Sequence, residues 1–133
     1  MNKQVIEELW DSLAGERVQL IGAFYERLFD RYPQYRELFP DKMDHQKDKM
    51  VEMLSALARF SDHIDMIRPY MTRIAEVHRS LGLHPQDLRN FQAVLIETLE
   101  QQSGSRWRPE HGVAFKEAFD TSIIPLFEDG MDD

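Results

Sequence analysis

Cysteine is absent from the sequence. Its absence excludes disulfide bonds, thiolate nucleophiles, zinc sites with cysteine ligands and iron–sulfur clusters held by cysteine. An excess of positive charge is also absent, because 24 acidic residues outnumber 16 lysines and arginines and give a formal net charge of −8. An acidic surface repels phosphate backbones and anionic lipid, so a role on nucleic acid or on a membrane surface is disfavoured.

Long apolar runs are missing as well. No run approaches the ~20 residues that a membrane-spanning helix needs. The first ten residues, MNKQVIEELW, lack the apolar core of a secretory signal, and we therefore expect a cytoplasmic protein. The length of 133 residues and the hydrophobic content of 42% fit one domain over residues 1–133. Residues 128–133 are polar, and we expect them to form a frayed tail.

What the chain does have is helical periodicity. The stretch NKQVIEELWDSLAG, for example, places five apolar residues on one face: Val5, Ile6, Leu9, Trp10 and Leu13. Prolines 33, 69 and 85 stand where helices are expected to begin, and glycines 15 and 82 where they are expected to end. No strand alternation or internal repeat accompanies this pattern. The periodicity predicts an all-α domain of six or seven helices.

Two local signals refine the expected boundaries. Asp44 precedes the stretch HQKDKMVEMLSALARF and is expected to cap that helix. The stretch SGS at residues 103–105 is expected to form a loop between the last two helices. In the second helix, the apolar stripe is expected to begin at Val18 and to continue through Ile21, Tyr25, Leu28 and Phe29.

Motifs of enzymes that work with side chains alone are missing. The sequence contains no GxSxG, no HExxH and no glycine-rich phosphate loop. Neighbouring carboxylates such as Glu7 and Glu8 fit a solvated helix face. We therefore predict no catalytic residue, and any chemistry would have to come from a cofactor.

Four residues follow one another in an order that raises a different possibility. These are Tyr25, Phe39, Gln46 and His78. Taken singly, each has an ordinary explanation. Tyr25 and Phe39 suit an apolar core, Gln46 suits a surface, and His78 suits the partly exposed end of a helix.

Taken together, these residues resemble the globin family. The matching stretches are FYERLF…YPQYRELFP, MDHQKDKM, RIAEVHRSLGL and AVLIETLEQ, and the resemblance runs from about Val5 to Phe127. It is greatest to bacterial single-domain globins related to the globin domain of flavohaemoglobin. The resemblance implies a globin fold of six to seven helices that sandwich one haem b (iron protoporphyrin IX). It also implies that His78 is the proximal iron ligand, with the N–H of its other ring nitrogen donating to the carbonyl of Ile74.

The resemblance further implies the residues around the haem. Tyr25 and Gln46 would face the gas ligand as hydrogen-bond donors, Phe39 would stack on the macrocycle, and Lys49 would reach a propionate. The apolar lining would come from Met50, Ile74, Leu83, Leu88, Phe91 and Leu95.

The register of the helix that follows Phe39 stays open between two choices. Spacing without a gap would put Lys49, not Gln46, at the distal position. We favour Gln46 because Met50 then packs over the haem one turn later. A lysine that faced an apolar pocket would pay a desolvation cost.

The implied function is non-enzymatic, high-affinity binding of dioxygen, with nitric oxide and carbon monoxide as further ligands. Alternatives remain open: nitric oxide dioxygenation or another haem redox reaction with an external reductase, a haem-based gas sensor, or a haem-free module. We expect no flavin reductase domain in this chain. Where flavohaemoglobins carry a tyrosine ten residues after the proximal histidine, this chain has Leu88, which argues against strong cleavage of an O–O bond.

Overall fold

The computed structural model describes residues 2–121 and 124–125, and the tail expected at residues 128–133 lies outside them. The described part of the chain contains helices, turns and irregular segments, without strands. Its α-helices are α1 Asn2–Ser12, α2 Arg17–Arg31, α3 Asp44–Phe60, α4 Arg68–Ser80, α5 Pro85–Ser103 and α6 Pro109–Thr121, and 3₁₀ turns span Pro33–Leu38, Ile64–Ile67 and Gly104–Arg106. This confirms the prediction of an all-α protein.

The helix ends follow local chemistry. Proline occupies the first turn of α4 and α5 and of the turn Pro33–Leu38, where its missing N–H has no helical partner to lose. Gly15 follows α1 with φ +90° and Gly82 follows α4 with φ +81°. Both values lie in the left-handed region, which glycine enters without a Cβ penalty.

The core forms where the apolar helix faces meet. Helix α1 packs against α6 and α3, and α2 packs against both α3 and α5. The predicted face of α1 is confirmed, since Ile6, Leu9, Trp10 and Leu13 are all buried. The indole nitrogen of Trp10 also donates to Ser55 Oγ at 3.0 Å and so joins α1 to α3.

Helix α4 is held differently from the others. Among the described residues, its extensive backbone contacts are with the turn Ile64–Ile67 that precedes it. Its fully buried side chains are Met71 and Ala75, which anchor one face to the core. The position of α4 relative to α2, α3 and α5 therefore depends on side-chain contacts, which matter below because α4 carries His78.

Three local expectations were wrong. Val18 is 53% exposed, and Leu20, Ile21 and Phe24 supply the buried face of α2 near its start. Asp44 is the first residue of α3, and the preceding Met43 occupies the N-cap position without a side-chain cap. The stretch SGS is not a simple loop, because residue 103 ends α5 and Gly104–Arg106 forms a 3₁₀ turn.

Within residues 2–121 and 124–125, no helix has the length and apolar character required to cross a bilayer.

Candidate functional site

The packing of α2 against α3 brings Tyr25 and Gln46 together. Gln46 Nε2 donates a hydrogen bond to Tyr25 Oη at 3.2 Å. Tyr25 is only 5% exposed, and burial raises the pKa of its phenol, against a smaller opposing effect of the Gln46 hydrogen bond. The hydroxyl is therefore protonated at neutral pH. Because the Gln46 amide already acts as donor in this pair, the phenolic proton is free to be donated to a third group.

An aromatic cluster surrounds Tyr25. Its ring stacks on Phe29 with 5.8 Å between centroids and meets Phe39 edge-on at 5.4 Å. Phe29 and Phe39 are themselves 5.5 Å apart. Such offset and edge-to-face pairs stabilise the packing beyond the area they bury. The cluster fixes the Tyr25 ring and leaves Phe39 half-buried, so part of the Phe39 ring remains accessible.

Phe39 lies at the end of the turn Pro33–Leu38, and Arg36 holds the backbone there. The Arg36 guanidinium donates to the carbonyl of Phe39 at 3.3 Å and to that of Pro40 at 3.0 Å. It also lies 5.3 Å from the centroid of the Phe29 ring, within cation–π range. One arginine thus sets the position of Phe39 relative to α2.

The two residues proposed for the distal position of α3 differ in their surroundings. Gln46 is half-buried against Tyr25, whereas Lys49 is exposed, and Met50 is half-buried on the same helix. Gln46, and not Lys49, therefore lies beside Tyr25, and the assignment of Gln46 to the distal position stays a prediction. Lys49 is not brought together with the other candidate residues.

On α4, the imidazole of His78 is half-buried and oriented by its own helix. His78 Nδ1 lies 2.7 Å from the carbonyl oxygen of Ile74, one turn earlier. A carbonyl only accepts, so Nδ1 carries the proton and the lone pair of Nε2 stays available. Burial lowers the pKa of His78, against an opposing effect of the Ile74 hydrogen bond, which favours the neutral ring that metals bind.

Apolar residues lie around His78. The Phe91 ring on α5 is 6.4 Å from the His78 ring, and Phe91 and Ile74 are both half-buried. Three further members of the predicted lining are in the core: Leu83, Leu88 and Leu95. A haem iron requires on its proximal side a neutral nitrogen with a free lone pair, and the haem itself requires apolar surroundings. The residues present therefore fit a haem.

Phe29, which the helical spacing placed on the same stripe as Tyr25, lies against the Tyr25 ring. Sequence reasoning missed a different residue of this region, Tyr35. Tyr35 packs edge-on against Phe91 at 4.8 Å, and its hydroxyl donates to Asp87. Burial and the Asp87 hydrogen bond raise the pKa of Tyr35 to about 12. No local signal in the sequence marks the contact of Tyr35 with Asp87, since the two residues are 52 positions apart.

Two surface cavities occur elsewhere. One of about 500 Å³ lies between α5 and α6, and one of about 450 Å³ lies between α1, α6 and the end of α3. Neither is lined by a predicted site residue. In the described residues, no group of three or more histidine, aspartate or glutamate side chains could hold a metal ion.

Comparison with known proteins places these observations in a family. The Globin family model matches residues 22–124. The chain is 24% identical over 119 residues to a flavohemoprotein of Rhodopirellula baltica and 25% identical over 121 residues to one of Halalkalibacterium halodurans. These alignments cover 87% and 89% of this chain, but in both cases only 29% of the longer relative.

The fold has a counterpart among solved structures. A bacterial globin from Campylobacter jejuni superposes with a TM-score of 0.85 at 17% sequence identity, over 99% of this chain and 98% of that one. The agreement extends the likeness beyond the segment matched by the family model and confirms the globin fold. The chain belongs to the globin family, whose members bind haem.

Proposed function

We propose that this chain binds haem b between α3 and α4 and uses it to bind dioxygen reversibly and with high affinity. When bound, the haem supplies a ferrous iron that takes up a diatomic gas. His78 Nε2 is the protein ligand to that iron. Phe39, Met50, Ile74, Leu83, Leu88, Phe91 and Leu95 form the apolar surroundings, and Lys49 pairs with a propionate.

The observation that carries the proposal is the hydrogen bond between Gln46 and Tyr25 on the gas side. It holds the phenol in place while leaving the phenolic proton for the ligand. A hydrogen bond to an acceptor with charge-like character contributes about 1.5–3 kcal/mol. Such a contribution corresponds to roughly tenfold to hundredfold slower release of the gas. Slow release suits storage or reaction of dioxygen better than bulk delivery, and nitric oxide and carbon monoxide are expected to compete for the same position.

A second candidate is nitric oxide dioxygenation with an external reductase. Its support is the likeness to flavohemoproteins, which are more than three times as long as the matched segment. The same residues would serve both functions. Turnover of nitric oxide by the oxygen-loaded protein with an added flavin reductase, against a reductase-only control, distinguishes the two.

The proximal assignment is tested with His78→Ala and the matched control His63→Ala. His63 is exposed and lies outside the site, so its loss should leave haem binding unchanged. We expect the haem-loaded wild type and His63→Ala to show the same Soret band, while His78→Ala loses haem on gel filtration. A native Soret band and wild-type haem affinity in His78→Ala would show that another group ligates the iron.

A further inference from the structure

A hydrogen-bond network lies next to Phe91, and the proposed function does not use it. Tyr35 is only 4% exposed. Its hydroxyl donates to Asp87 Oδ1 and accepts from Asn90 Nδ2 at 3.2 Å. The hydroxyl therefore joins the turn Pro33–Leu38 to the first two turns of α5. A buried hydroxyl with both a donor and an acceptor partner is strongly held in one orientation.

Asp87 makes this connection rigid. Its second oxygen, Oδ2, accepts a hydrogen bond at 2.8 Å from the backbone N–H of His84, the residue that precedes α5. An acidic side chain in the first turn also interacts favourably with the helix dipole. One carboxylate thus fixes the start of α5 and the Tyr35 hydroxyl together.

Phe91 lies one turn after Asp87 and contacts two rings. It meets Tyr35 edge-on, with 4.8 Å between centroids and 75° between planes. It meets His78 at 6.4 Å with 50° between planes. Tyr35, Phe91 and His78 therefore form a continuous contact from the turn Pro33–Leu38 to α4.

The orientation of His78 needs such support. A single hydrogen bond from Nδ1 to the Ile74 carbonyl leaves the imidazole able to pivot about that bond. Helix α4 itself has its extensive backbone contacts only with the turn before it, among the described residues. A second contact on the ring is what limits the pivoting, as outer groups do for metal ligands generally.

We propose that Tyr35 is a positioning residue for the proximal side. Its hydroxyl, held by Asp87 and Asn90, keeps Phe91 against the imidazole of His78 and so fixes the orientation of the ring that would hold the iron through Nε2. The inference rests on the proposed role of His78 as haem ligand. Tyr35 would then affect the iron–imidazole bond as well as pack in the core.

The test compares Tyr35→Phe with Tyr32→Phe in the haem-loaded protein. Tyr32 packs on Tyr35 at 5.4 Å, but the hydrogen bonds to Asp87 and Asn90 are made by the Tyr35 hydroxyl. Resonance Raman spectra of the ferrous protein report the iron–imidazole stretching band directly. We expect Tyr35→Phe to shift or broaden this band and Tyr32→Phe to leave it unchanged. An unchanged band in Tyr35→Phe, even with lowered thermal stability, would overturn the proposal.

Haem transfer to an excess of apomyoglobin gives a second readout. We expect Tyr35→Phe to lose haem about threefold to tenfold faster than wild type, because only part of the free energy of its hydrogen bond reaches His78. Tyr32→Phe should match wild type. Equal rates for all three proteins would contradict the proposal.

A double substitution separates the route through Phe91 from any other. In a Phe91→Leu background the contact to His78 is already lost, so adding Tyr35→Phe should leave the band where Phe91→Leu alone puts it. A further shift would show that Tyr35 acts by another path and would overturn the proposal. Failure of the proposed function gives a different result, since the wild-type protein would then show no iron–imidazole band that His78→Ala removes.

Discussion

Gln46 Nε2 on α3 donates to Tyr25 Oη on α2 across 3.2 Å, and this bond joins the two helices. The two residues are 21 positions apart and come from helices that pack against each other. Because the amide is the donor, the phenol keeps its own proton for a third partner. The first two predictions follow from this arrangement.

Tyr25→Phe should speed the release of dioxygen by roughly tenfold or more. The substitution removes only a hydroxyl, so the contacts of the ring with Phe29 and Phe39 should survive, and the lost contribution is a hydrogen bond of about 1.5–3 kcal/mol. Carbon monoxide accepts hydrogen bonds less strongly, and its release should change less. Stopped-flow release rates measure both gases. Equal changes for the two, or none for dioxygen, would mean that Tyr25 is only a core aromatic.

Gln46→Leu should also speed dioxygen release, whereas Lys49→Ala should not. Leucine cannot donate to the Tyr25 hydroxyl, which then loses the partner that orients it. Lys49 is exposed, so its removal should affect haem retention or surface charge instead. The same stopped-flow measurement compares the two variants. The opposite pattern would place Lys49 at the distal position and shift the register of α3 by three residues.

The free energy of unfolding should fall in weak acid because of the buried imidazole of His111. It is 2% exposed, and its Nδ1 accepts a hydrogen bond from the backbone N–H of Arg108 at 2.9 Å, which requires a neutral ring. Burial and the Arg108 charge lower its pKa, against the opposing effects of Glu8 and Glu110. Above the ordinary value of 6.5, both folded and unfolded chains hold it neutral. As the pH falls below that value, only the unfolded chain takes up the proton, so the free energy of unfolding falls.

The measurement is denaturant unfolding between pH 7 and pH 5 for wild type, His111→Gln and His63→Gln. One such group changes the free energy of unfolding by at most about 1.4 kcal/mol per pH unit. We expect His111→Gln to show a smaller loss of stability with acid than wild type. His63 is exposed, and His63→Gln should behave like wild type. Identical slopes for wild type and His111→Gln would show that the buried ring takes up its proton without penalty.

Gly22→Ala should stabilise the protein by about 0.5–1 kcal/mol, because alanine favours a helix over glycine by that amount. A Cβ at Gly22 would meet only the end of the Lys47 side chain, with Nζ at 3.6 Å. Gly112 in α6 provides the contrast, since its Cβ would lie 3.2 Å from Cζ2 of the Trp107 indole. Gly112→Ala should therefore gain less or lose stability. If thermal unfolding shows an equal gain in stability for both variants, the close contact with Trp107 does not limit the substitution at Gly112.

Helix content was predictable from the sequence because it depends on local rules. The apolar spacing in α1 predicted the residues that the structure buries, and prolines 33, 69 and 85 marked helix starts because a missing N–H is tolerated there. Local rules failed where tertiary packing outweighed them. Val18 has the right spacing but is 53% exposed, whereas Leu20, Ile21 and Phe24 are buried on the face of α2 that packs in the core.

The individual candidates Tyr25, Phe39, Gln46 and His78 were found from their order along the chain, together with a family resemblance. The contact of His78 with the Ile74 carbonyl was also predictable, because residues one turn apart on a helix are neighbours. Periodicity could not choose between Gln46 and Lys49, since both stand near the same face of α3. The packing of α2 against α3 puts Gln46, rather than Lys49, against Tyr25.

The network around Tyr35 was decided by tertiary structure alone. Sequence spacing carries information about partners within a few residues, and it carries none about a tyrosine and an aspartate that are 52 residues apart. Their pairing depends on where the turn Pro33–Leu38 meets the start of α5, and hence on how all the intervening helices pack. The amino-acid sequence by itself therefore determined the helices and the candidate ligands, whereas packing determined which side chains support them.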